Sequence, residues 1–146
     1  ELTMPKIGAE RSKWLYPIRS LLDSGAIVAF GSDWFVTSGN PLLGIETAVM
    51  RRDPLTNVSV EFLDNQRIDL ADAIQASTIN SAYVNFMEKD TGSIEVGKLA
   101  DLIVLDQNLC NLPPQEITDT QVLLALLGGI PVYGDRSLQP IAKTAE

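Results

Sequence analysis

The chain has 146 residues, a formal charge of −8 (11 Lys+Arg against 19 Asp+Glu), one cysteine and no histidine. Within these residues the missing histidine excludes a Ser-His-Asp or Cys-His nucleophile, a His-x-His or His-Glu-x-x-His metal site and a histidine base, and Cys110 alone excludes the common zinc cages. With 45% apolar and 21% charged residues the composition is that of a globular protein of one domain or two small ones, and its acidity excludes a general nucleic-acid binder, which needs clustered Lys and Arg.

Glu1–Glu10 has no hydrophobic period and holds Pro5 and Gly8, so it reads as a loop. Trp14, Leu15, Ile18, Leu21 and Leu22 fall on one helical face; Pro17 belongs to the first turn of that helix and Gly25 to its stop, which predicts a helix over 17–24. Ala26–Phe30 is a short apolar run bounded by Gly25 and Gly31, the pattern of a strand buried on both faces. Ser32–Gly39 follows as a loop. Asn40-Pro41 is a helix start, with Asn as N-cap and Pro as first residue, and Leu42, Ile45 and Val49 lie along one face of a helix that ends at Arg51-Arg52.

Thr56–Arg67 reads as a polar connection. Asp69 is placed to cap the next helix, with Asp72 in its first turn and Leu70, Ala73, Ile74 and Ser77 inward. Ser77-Thr78-Ile79-Asn80 interrupts it, and a second short helix carries Ala82, Tyr83, Phe86 and Met87. From Lys89 the pattern becomes β-rich: turns at Thr91-Gly92 and Gly97-Lys98, a strand within Ala100–Leu105, a connector at Pro113–Thr120, and a hairpin of Val122–Leu127 and Ile130–Tyr133 around Gly128-Gly129. Pro131 makes the last arm an edge strand, and the tail after Gly134 reads as loose.

The longest apolar run, Val122–Tyr133, is interrupted by glycines and a proline and is about half of the ~20 residues a membrane-spanning helix needs. A single cysteine with no internal partner points to a reducing compartment, the cytoplasm, and Cys110 reads as a half-buried inert thiol. Gly92–Lys98 matches most of a phosphate-binding loop, but Leu99 stands where the hydroxyl belongs and a strand, not a helix, follows. Asn57-Val58-Ser59 is a glycosylation triplet that arises often by chance. Asp64, Asp69 and Asp72 lack calcium-loop spacing, and Glu46, Arg51 and Arg52 read as a solvated helix face.

Gly31-Ser32-Asp33-Trp34 is the candidate motif for chemistry. A carboxylate just past a buried strand sits where α/β proteins bind ligands, and it can touch a metal or move a proton. The plainer reading of Asp33 is an aspartate closing a turn. Trp34 and Phe35 line a pocket on one reading and pack a core on the other.

Phe30-Gly-Ser-Asp33-Trp34, the run Asn40–Arg52, and Thr91-Gly-Ser-Ile-Glu-Val-Gly-Lys-Leu-Ala-Asp-Leu-Ile-Val-Leu-Asp106 together resemble the metal-dependent amidohydrolase superfamily, and within it the amidohydrolase family 3 type that includes deformylase-like enzymes. The resemblance implies an α/β fold: a partial (β/α)8 barrel over 1–88, with 26–30 as its last strand and the C-terminal helices after it, then the C-terminal part of a composite β-sandwich over 89–146. It implies hydrolysis of C–N bonds other than peptide bonds, a small amide-type substrate, and a divalent metal, zinc in the family, in a full-length parent. Asp33 is then the proton shuttle and a metal contact, with Trp34, Phe35 and Asn40 as pocket residues.

The family's other metal ligands are histidines on earlier strands, and none is present here. The chain therefore reads as a C-terminal fragment, inactive alone, binding no metal tightly and prone to self-association through its uncovered strand and apolar patch. The competing expectation is a non-catalytic interaction module that keeps part of the fold.

Overall fold

The computed structural model describes residues 4–55 and 62–134. Among them, helices α1 (Met4–Ser12), α2 (Ile18–Asp23), α3 (Pro41–Met50), α4 (Leu70–Ser77) and α5 (Ile79–Val84) precede strands β1 (Leu102–Leu105), β2 (Val122–Leu127) and β3 (Ile130–Gly134). The strands form one antiparallel sheet in the order β1-β2-β3. The glycosylation triplet at 57–59, the tail after Gly134 and the first three residues lie outside the described residues.

Most of the expected elements form, for the reasons their sequences supply. Asn40 Oδ1 accepts the Leu42 amide at 3.0 Å, which caps α3, and Pro41 takes the first helical position. Gly25 follows the α2 C-cap with φ of +83°, and the Gly128-Gly129 turn joins β2 to β3. Pro131 lies on an edge strand, as its missing N–H requires. Asp69 takes the N-cap position of α4 but makes no side-chain capping bond.

Four expectations are corrected. Met4–Ser12 is helical rather than a loop, with its irregularity confined to Gly8 (φ 79°, ψ 164°) and Ser12 Oγ donating to the Gly8 carbonyl at 2.8 Å. Ala26–Phe30 joins no ladder among the described residues, and Ile27 is exposed: an apolar run becomes a strand only beside another strand. Glu46 and Arg51 are buried, 1% and 5% exposed, rather than solvated. Cys110 is exposed rather than half-buried.

The core gathers Leu42, Ile45 and Ala48 of α3 with Ile68, Ala73 and Ile117, and Ile18, Leu22, Phe30 and Leu109 pack against it. Ile117 belongs to the 3-10 turn Pro114–Asp119, so this turn closes over the helices before the chain enters β2. Glu46 makes the same join with a polar contact: its Oε2 accepts the Thr118 amide at 2.9 Å, and its Oε1 lies 3.9 Å from Arg52 Nη2. Burying a carboxylate costs several kcal/mol unless such partners compensate.

The glycine-and-aspartate run 91–106 is a set of clamps. Asp101 accepts from Thr91 Oγ1 (3.0 Å) and from the Gly128 amide (2.7 Å), binding the first turn to the hairpin turn. Asp106 accepts the Gln121 amide at 2.9 Å and ties the ends of β1 and β2. Gly92, at φ +88°, lies so close to α5 that a Cβ there would meet the Ala82 Cβ at 2.7 Å and the Ile79 Cα at 2.9 Å. The sheet buries Leu124 on one face, while on the other the row Ile103, Ala125, Tyr133 leaves Ile103 and Tyr133 exposed.

Two outcomes follow for stability. Gly92→Ala adds a clash to the left-handed strain and costs at least ~2 kcal/mol in urea unfolding, whereas Gly97→Ala, with φ +98° and open space, costs only the backbone part, about 1 kcal/mol. Glu46→Leu strands the Thr118 amide and speeds its hydrogen exchange at least about tenfold; Glu46→Gln keeps an acceptor and stays within about threefold.

Candidate functional site

The loop 31–40 runs from the 26–30 segment to the cap of α3. Asp33 has a left-handed φ of 52°, a region in which Asp is enriched among non-glycine residues. Its carbonyl accepts the Val36 amide at 2.8 Å, so its backbone does close a turn. Ser32 braces that turn from both sides: its Oγ accepts the Trp34 amide at 3.3 Å, and its carbonyl accepts from Thr37 Oγ1. Asp33 is exposed, and among the described residues no hydrogen bond or ion pair engages its carboxylate. The turn thus consumes the backbone of Asp33 and leaves its side chain available.

Trp34 and Phe35 stand beside it, 67% and 80% exposed, with ring centroids 4.5 Å apart in an edge-to-face pair at 68°. They do not pack into the core of this chain. The indole rests over Gly39, where an added Cβ would lie 3.5 Å from Trp34 Cδ1. Asn40 closes the loop with its Oδ1 committed to the α3 cap. Asp33, Trp34 and Phe35 therefore share one turn, and Asn40 ends the same loop.

Upstream, the 28–30 backbone is held by the junction of α4 and α5. Asn80 Nδ2 donates to the Val28 carbonyl at 2.9 Å, the Phe30 amide donates to the Ala76 carbonyl at 2.9 Å, and Ser81 Oγ lies 3.0 Å from the Phe30 carbonyl. Sequence reasoning read Ser77–Asn80 only as a helix interruption; the signal available was a pair of hydrogen-bonding side chains, Asn80 and Ser81, placed next to that break.

Among the described residues no three His, Cys, Asp or Glu side chains gather to hold a metal ion, and Asp33 stands as a single carboxylate at its turn. The residues present do not by themselves fit a metal. The phosphate-loop look-alike is also accounted for. Lys98 Nζ donates to Ser93 Oγ at 2.5 Å and pairs with Glu95 at 3.2 Å, Ser93 Oγ donates to the Glu95 carboxylate, and the Ser93 bond first and Lys98 second hold the Glu95 carboxyl below its ordinary range. No helix among the described residues is long and apolar enough to cross a membrane.

The arrangement of helices and small sheet is shared with a solved hydrolase. It matches a metal-dependent hydrolase of Pyrococcus horikoshii with a TM-score of 0.61 and 30% identity, over 72% of this chain and 21% of that one. Residues 1–133 match the amidohydrolase family, and the chain belongs to it. It is 37% identical over 88% of its length to the protein LONG AFTER FAR-RED 3 of Arabidopsis thaliana, and 32% identical over 82% to an N-substituted formamide deformylase of Arthrobacter pascens. It spans 22% and 21% of those two relatives, about a fifth of each.

Because the two rings lie outside the core, Trp34→Ala and Phe35→Ala each change unfolding free energy by less than ~0.5 kcal/mol in a urea titration. A core role would show as a loss of ~3 kcal/mol or more.

Proposed function

We propose that this chain is the C-terminal part of a metal-dependent hydrolase that cleaves C–N bonds other than peptide bonds in a small amide-type substrate. The observation that carries the reading is the Asp33 turn: an exposed, unengaged carboxylate on a hydrogen-bonded loop, in a chain that matches the amidohydrolase family over residues 1–133. The likeness to a formamide deformylase supports the same bond class.

In this reading 26–30, which joins no ladder among the described residues of this chain, pairs in the full-length protein as the last strand of a (β/α)8 barrel whose earlier strands lie outside this chain; residues 1–88 are the C-terminal part of that barrel and 89–146 the C-terminal part of a composite β-sandwich. A divalent metal, zinc by family resemblance, would take its ligands other than the Asp33 contact from outside this chain and would supply a Lewis acid for the carbonyl under attack. Asp33 takes a proton from the attacking water as the new C–O bond forms, and passes it to the departing nitrogen as the C–N bond breaks, giving an acid and an amine. Trp34 and Phe35 wall the substrate, and Asn40, its oxygen used in the cap, offers its amide NH2.

Without the rest of the barrel the chain is inactive and self-associates, because exposed Ile27, Ile103 and Tyr133 remain uncovered. Its lone cysteine fits the cytoplasm.

In the full-length protein Asp33→Asn keeps the shape of the turn and removes the proton acceptor. It lowers kcat on an N-alkylformamide by about 10²–10⁴-fold. A variant that keeps near-normal kcat would remove Asp33 from the mechanism.

A further inference from the structure

We infer that Asn80, seconded by Ser81, is a positioning residue for Asp33: the α4–α5 junction holds the 28–30 backbone and through it the acidic turn. The inference rests on the reading of Asp33 as the proton acceptor. In the proposed barrel the flanking strands supply part of the backbone partners of 26–30; in this chain, where it joins no ladder among the described residues, its groups depend on other partners. At its end near Asp33 three of those groups are met from one place: the Val28 carbonyl by Asn80 Nδ2 (2.9 Å), the Phe30 amide by the Ala76 carbonyl (2.9 Å), and the Phe30 carbonyl by Ser81 Oγ (3.0 Å).

These bonds are not equal. The single Ser81 hydroxyl proton is divided between the Phe30 carbonyl and the Ala76 carbonyl at 2.8 Å, whereas Asn80 brings an amide donor to Val28. Asn80 is therefore the firmer anchor. Phe30 is three residues from Asp33, and the intervening chain is too short to absorb a shift of its root: each residue spans at most ~3.6 Å. A displacement of about 1 Å at a reacting group costs about 10²-fold in rate. The helix break at 77–80 puts Asn80 and Ser81 at the start of a new helix, beside the Ala76 carbonyl, where one junction serves all three bonds.

The test uses the full-length protein and three variants. Asn80→Asp keeps the shape and removes the donor, and Asn80→Ala removes it without adding a charge. Gln107→Glu makes the same chemical change where Nε2 donates to Thr120 Oγ1, in the sheet region and away from the 28–30 segment and its anchors. Hydrogen exchange at the Phe30 and Val36 amides rises at least about fivefold in both Asn80 variants and stays at the wild-type rate in Gln107→Glu. On an N-alkylformamide, kcat falls about tenfold or more in the Asn80 variants while KM stays within about twofold. Unchanged exchange at Phe30 and Val36 in both Asn80 variants overturns the anchor. Faster exchange with kcat intact overturns the positioning role. Failure of the Asp33 reading itself is seen separately, as turnover retained in Asp33→Asn while the Asn80 variants still loosen the segment.

Discussion

The rest of the structure depends on a carboxylate that has no business being buried unless something answers it. Glu46 sits on α3 at 1% exposure, with the Thr118 amide on one oxygen and Arg52 3.9 Å from the other. That contact, with Ile117 beside it, fastens the 3-10 turn 114–119 to the helices. The same helix begins at Asn40, where the acidic loop ends, and finishes at Arg51. Arg51 is buried as well: its Nε donates to the Phe62 carbonyl at 3.1 Å, its Nη2 to the Leu15 carbonyl at 3.3 Å, and its guanidinium lies 5.5 Å from the Phe62 ring centre. Burial pushes the Arg51 pKa down, but a guanidinium stays charged, so these carbonyls are what make the site tolerable. One helix thus fixes the connector between β1 and β2, the end of the acidic loop and the path of residue 15.

The apolar surface has a common explanation in the proposed parent. Ile27 at the unpaired segment, Ile103 and Tyr133 on the open sheet face, and Phe86, Ile94 and Val96 around the 91–98 turns are all exposed. A protein of this size rarely leaves so much apolar area to water unless another surface covers it. The chain belongs to a family whose curated relatives LONG AFTER FAR-RED 3 and the formamide deformylase are about four times its length, so further chain is the natural cover in the proposed enzyme. The sheet has a buried Leu124 face and an exposed Ile103–Tyr133 face, and in the proposed sandwich a second layer would cover the exposed one.

What was legible in the sequence was local. Asn40-Pro41, Gly25 and the Gly128-Gly129 turn each name their own conformation through capping chemistry or positive φ, and the structure follows them. What depends on distant partners was not legible. Glu46 reads as a surface residue until Thr118, 72 positions later, arrives to use it. Asp101 sits in a recognisable run, but its two hydrogen bonds reach Thr91 and Gly128. The apolar run 26–30 predicts a strand, yet pairing belongs to two segments and its partner is not among the described residues. For the site, the motif singled out Asp33, and the exposure of Trp34 and Phe35 places them outside the core of this chain. Asn80 and Ser81 escaped notice because their acceptors are backbone carbonyls about fifty residues away, which leave no mark in the side-chain pattern.

The central claim is that this chain is one part of a larger hydrolase, its acidic turn and apolar faces shaped for chain that lies outside it. Sedimentation velocity across a concentration series tests that most directly, run on the 146-residue chain and on the full-length protein. The account predicts concentration-dependent self-association of the short chain that is absent or much weaker in the full-length protein. A monomeric short chain that melts cooperatively would contradict it.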